Sequence, residues 1–157
     1  MRRAFDAVAV VAALFVGPLH AQTGDPRLTI AEVEKVTGLN DVQVVRPGAV
    51  PGAGAGLNFA GPDKRMVLMV NFGAAALYRR AKEQTMYAGV PMPLFHADVS
   101  GIGDEAFDSP PGPLQYVLYV RKGAAAASFT AYYVSPAKAT LTIEQLKQLA
   151  RIVVPRI

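Results

Sequence analysis

Cysteine is absent from this 157-residue chain. There is therefore no disulfide, no thiolate metal ligand, no cysteine nucleophile and no cysteine to carry a lipid anchor. Long apolar runs are missing too. The longest, residues 7–16, covers about ten positions, against the roughly 20 a membrane-spanning helix needs, so no transmembrane span is expected after the leader described below. Charged residues make up only 18%, and the 16 basic ones are scattered without a run. That is no footprint for a nucleic acid, and none is expected as a partner. What the chain does have is 52% apolar residues, enough to specify a packed globule rather than a disordered segment.

The first residues read as an address. Met1-Arg2-Arg3 is followed by the apolar run and then by Gly17-Pro18-Leu19-His20-Ala21. A positive start, a short apolar centre and a small residue at the end are the marks of a cleavable secretory signal peptide. Residues 1–21 are assigned to it, with cleavage after Ala21, and residues 22–157 to one domain in the periplasm or outside the cell. Of the 16 basic and 12 acidic residues, Arg2, Arg3 and Asp6 leave with the leader. The remainder is mildly basic, at +3.

Two helices announce themselves by their caps. Thr29-Ile30-Ala31-Glu32 and Thr142-Ile143-Glu144-Gln145 are capping boxes, in which the Thr hydroxyl and the Glu or Gln side chain each satisfy a free backbone N–H. Leu28 and Val33 occupy the staple positions of the first helix, read as residues 30–37 and stopped by Gly38. In the last helix Ile143, Leu146, Leu149, Ala150 and Val153 form an apolar stripe, and Pro155 ends it. A third helix is expected over residues 74–86, with Leu77 and Ala81 turned inward and the charged residues 79, 80, 82 and 83 outward.

Five strands are expected. Residues 41–46 carry β-branched Val42, Val44 and Val45. Residues 57–60 and 65–72 form a hairpin, its second arm apolar on both faces and so central. Residues 114–121 and 124–134 form another across Lys122-Gly123. Residues 47–56 read as a Gly/Pro/Ala loop, and 88–108 as irregular. The sum is an α+β domain: an antiparallel sheet of about five strands with helices packed on one face.

Polar residues concentrate in Phe95-His96-Ala97-Asp98-Val99-Ser100-Gly101-Ile102-Gly103-Asp104-Glu105-Ala106-Phe107-Asp108. His96 is the one histidine left after leader removal. A histidine with carboxylates can hold a metal or form an acid–base pair. Asp and Gly are also ordinary turn residues, and this segment has no recognised ligand spacing, so no metal and no cofactor is expected. The candidate contact residues are His96, Asp98, Asp104 and Glu105, with Tyr116 and Tyr119 from the following hairpin. Gly52-Ala53-Gly54-Ala55-Gly56 is no phosphate loop, because it leads into a strand instead of opening a helix. It could serve as a lid. No serine lies in a nucleophile elbow or a Ser-x-x-Lys pair.

Gly101-Ile102-Gly103-Asp104-Glu105-Ala106-Phe107, followed by Tyr119-Val120-Arg121-Lys122-Gly123 and a C-terminal helix, resembles a segment of small secreted bacterial α+β proteins and lipoproteins of unknown function. The resemblance spans residues 101–157. It implies an α+β fold and no particular activity, and this chain departs from the lipid-anchored examples in lacking cysteine. The function expected is thus an exported, non-enzymatic domain that binds a protein or a small ligand. The rivals are a small metal-dependent or hydrolytic enzyme centred on His96 and its carboxylates, and a secreted enzyme inhibitor.

Overall fold

A computed structural model describes residues 25–52, 54–87, 89–111, 115–135 and 138–157. The expected leader and its expected cleavage point lie outside these described residues. Helix α1 (Ile30–Thr37) begins at the expected capping box. The Thr29 hydroxyl accepts from the Glu32 N–H and the Glu32 carboxylate accepts from the Thr29 N–H. Gly38 closes the helix in the left-handed region at φ 72°, which a side chain would oppose. Leu28 and Val33 are fully buried, as a staple requires. Helix α3 (Ile143–Val153) opens with the matching box at Thr142 and Gln145 and buries Leu146, Leu149, Ala150 and Val153.

Among the described residues, ten strands follow in chain order: β1 (Gln43–Val45), β2 (Leu57–Ala60), β3 (Met66–Ala74), β4 (Met86–Tyr87), β5 (Val90–Pro91), β6 (Ala97–Asp98), β7 (Glu105–Asp108), β8 (Gln115–Lys122), β9 (Ala125–Ser135) and β10 (Lys138–Ala139). Helix α2 (Ala75–Glu83) lies between β3 and β4. The main sheet runs β1-β2-β3-β9-β8-β7-β6, antiparallel throughout, and β10 pairs with β9. Strands β4 and β5 form a separate two-stranded hairpin.

The class is α+β as expected, but the sheet is wider than about five strands. The additional main strands β6 and β7 lie in the stretch expected to be irregular. They are short, flanked by Gly and Pro, and in β7 both Ala106 and Phe107 are buried, one on each face, so no alternation marks it.

Helices pack on both faces, which corrects the one-face expectation. Successive strand residues point to opposite sides. Phe59, Leu68, Val70, Leu118, Val120, Ala127 and Phe129 face one way and pack with Leu28, Val33, Leu146, Leu149 and Val153 of the α1–α3 layer. Phe107 and Ala126 face the other way, under Tyr78 of α2. Helix α2 also turns differently from its expected orientation. Ala75 and Tyr78 are buried, while Leu77 is 58% exposed. The large aromatic ring of Tyr78 fills the space over Phe107, and that packing sets the rotation.

Candidate functional site

Of the six candidate residues, His96 and Tyr116 are brought together, and the residue that joins them is Asp108. His96 Nδ1 lies 3.2 Å from Asp108 Oδ1, and the Tyr116 hydroxyl donates to Asp108 Oδ2 at 2.6 Å. The Ala97 N–H also donates to Asp108 Oδ1 at 2.9 Å. Burial, together with the adjacent carboxylate, holds the Tyr116 phenol well above its ordinary range, so it stays a donor. The His96 side chain is 56% exposed while the Asp108 side chain is only 13% exposed. Asp108 thereby pins the short edge strand β6 to β7 and β8. Its sequence context, the last residue of a stretch read as irregular and just ahead of Ser109 and two prolines, gave no sign of that role.

The other carboxylates are engaged elsewhere, Asp104 and Glu105 sharing Arg121 and Asp98 taking Lys82. Asp104 accepts the Gly123 N–H at 2.7 Å, and this bond, with Lys122 and Arg121 nearby, lowers its pKa. Glu105 pairs with Arg121 at 3.0 Å. Asp98 reaches Lys82 of α2 at 2.6 Å. Among the described residues no three His, Asp or Glu side chains come together as a metal ion would need. The Gly101–Phe107 segment, for its part, braces the β8–β9 turn.

Tyr119 belongs to a different place. It lies on the opposite face from Tyr116, stacked on Phe107 with ring centroids 4.6 Å apart. Phe107 also meets Tyr78 edge-on at 5.1 Å. Beside this aromatic stack a cleft opens between α2 and the sheet. It is lined by Asn71 and Gly73 of β3, Leu77 and Tyr78 of α2, Tyr119 of β8, and Ala126 and Ser128 of β9, with Phe72 and Ala127, whose side chains face the other way, between them. The cleft measures about 80 Å³. The Tyr78 hydroxyl is buried and has no hydrogen-bond partner among the described residues. Burial, with Glu105 and Asp98 adding to it, pushes the Tyr78 phenol up to about 12.

Further along the same face the Gly-rich loop is tied down. The Tyr132 hydroxyl donates to the Gly52 carbonyl at 2.8 Å, and the buried Asn58 amide donates to the Gly54 and Gly56 carbonyls. Gly54 sits so close to the sheet that a Cβ there would lie 2.8 Å from Met69 Sδ. The loop therefore covers one end of this face and α2 the other.

Leu77 was expected to face the core, and neither it nor Tyr78, Asn71 or Ser128 was expected to line a cleft. Tyr78 looked like an ordinary helix position, and nothing local to Asn71 or Ser128 says what lies across from them.

These features define an α+β domain with a two-sided antiparallel sheet and an apolar cleft on its α2 face. No protein family, no characterised protein and no solved structure was found to match the chain.

Proposed function

We propose that this is an exported, non-enzymatic binding domain that takes an apolar side chain of a protein segment into the cleft between α2 and strands β3, β9 and β8. The carrying observation is the cleft itself, with the side chains of Leu77, Tyr78 and Tyr119 in its walls. The size favours a side chain over a whole small molecule. At about 80 Å³ the cleft is smaller than the roughly 150 Å³ cavity that takes up benzene.

The enzyme reading centred on His96 asks the neighbouring carboxylates to converge on a substrate. Asp98, Asp104 and Glu105 are instead engaged by Lys82, Gly123 and Arg121. Strand and turn closure accounts for those contacts.

The test uses the mature protein and a phage-displayed library of linear dodecapeptides. Selected peptides should share an apolar residue and lose at least about tenfold in affinity to Ser128→Phe, which fills the cleft, and to Leu77→Ala, which removes a wall. His96→Ala should bind like the parent. A library that yields no binders, or binders indifferent to Ser128→Phe, overturns the assignment. Export is tested separately: intact mass of protein recovered outside the cytoplasm should begin at Gln22, and a pool retaining Met1 overturns it.

A further inference from the structure

All the large apolar side chains exposed among the described residues lie in one stretch: Leu77, Met86, Val90, Met92 and Phe95. Three of them sit on or beside the β4–β5 hairpin, which stands apart from the main sheet. An isolated two-stranded hairpin is marginal in water, and one with apolar residues on its surface more so. Met86 pairs with Pro91 and Tyr87 with Val90, and the Met92 N–H bonds the Thr85 carbonyl. By strand alternation Met86 and Pro91 project from one face of the hairpin and Val90 and Met92 from the other. Both faces are therefore apolar and exposed. A flat protein partner would cover one face and leave the other wet, whereas the headgroup–acyl boundary of a membrane surrounds an inserted hairpin on both sides.

Charge points the same way. A shallow recess at the hairpin base is lined by Ala76, Arg79, Arg80, Glu83, Gln84 and Met86. Arg79 and Arg80 are exposed, and neither forms an ion pair among the described residues. Two arginines against one glutamate leave the recess cationic beside the apolar tip, the complement of an anionic headgroup layer.

We infer that the β4–β5 hairpin, with Arg79 and Arg80 behind it, is a docking element for an anionic lipid surface. The site is separate from the cleft: the hairpin enters the interface while Arg79 and Arg80 meet the headgroups. Each basic residue near such a surface contributes about 1 kcal/mol, or about fivefold in affinity.

The experiment is cosedimentation of mature protein with vesicles of phosphatidylglycerol and phosphatidylethanolamine in equal parts, against vesicles of phosphatidylcholine alone. Binding is expected to the anionic vesicles and to weaken as salt is raised. Arg79→Gln/Arg80→Gln should bind about thirtyfold more weakly, and Val90→Ser/Met92→Ser should lose at least about tenfold. Because these side chains are exposed, the thermal midpoint of each variant should match the parent, which separates lost docking from lost folding. Ser128→Phe should bind vesicles normally, so failure of the cleft assignment and failure of this one are distinguishable. Absence of cosedimentation, equal binding to both vesicle types, or binding indifferent to Val90→Ser/Met92→Ser overturns the inference. So does a displayed peptide that needs Val90 and Met92 when vesicles are not bound, since a protein then covers the hairpin.

Discussion

The Tyr116 hydroxyl and the Asp108 carboxylate meet at 2.6 Å across adjacent strands, with His96 on the other carboxylate oxygen. This arrangement can look like a catalytic relay, but each contact also closes the sheet edge. A structural role predicts that His96→Ala leaves the thermal midpoint insensitive to a chelator, as in the parent. Asp108→Ala should instead cost roughly 1–3 kcal/mol, because the Ala97 N–H and the Tyr116 hydroxyl lose their acceptor. Thermal melts with and without chelator check the first point, and urea unfolding of Asp108→Ala checks the second. A chelator-induced drop of several degrees that disappears in His96→Ala would put a metal at this site.

Leu146 is fully buried at the centre of the α3 stripe. Leu146→Ala should destabilise the fold by roughly 2–5 kcal/mol, from lost transfer energy plus the cavity left behind. Denaturant midpoints measure this directly, and an unchanged midpoint would contradict the packing of α3 on the sheet.

Glu32 and Arg156 tie the first helix to the turn after the last, with contacts of 2.7 and 3.1 Å. The Arg156 guanidinium, aided by the Thr29 N–H and hydroxyl, lowers the Glu32 carboxyl from its ordinary 4.5 to about 2. A depressed acid stabilises the fold above its unfolded pKa, and that contribution is lost as pH falls through the folded one. The stabilisation is therefore full above about pH 5 and fades between pH 4.5 and about 2. Arg156→Gln should melt lower than the parent near neutral pH, and the two melting curves should converge toward about pH 2. A gap that stays constant across this range would mean that Glu32 is not the group responsible.

Gly103 has φ 61°, and a Cβ there would lie 2.4 Å from the Arg121 carbonyl oxygen. Gly103→Ala should cost more than the roughly 1–2 kcal/mol of left-handed strain alone, since the β7–β8 backbone must also move apart. Gly123 is left-handed too but has open space around it, so Gly123→Ala should cost less. Comparing the two thermal midpoints tests the ordering.

What the sequence by itself determined is local chemistry. Both capping boxes, the Gly38 stop and the α3 stripe are set by residues within a turn or two of one another, and their hydrogen bonds do not depend on the rest of the fold. The β2–β3 and β8–β9 hairpins were legible for the same reason, since tight turns join strands with strong β-formers. Tertiary structure decided the rest. The two buried residues of β7 acquire their faces only when β8 lies beside them, so four residues without alternation gave no strand signal. The rotation of α2 follows from Tyr78 finding Phe107, some thirty residues on in the chain. That rotation exposes Leu77, buries a hydroxyl that has no partner among the described residues, and opens the cleft. Asp108 meets His96 and Tyr116 only because three strands stack in register. Pairings between segments distant in sequence carry no local periodicity, and the candidate site consists of such pairings.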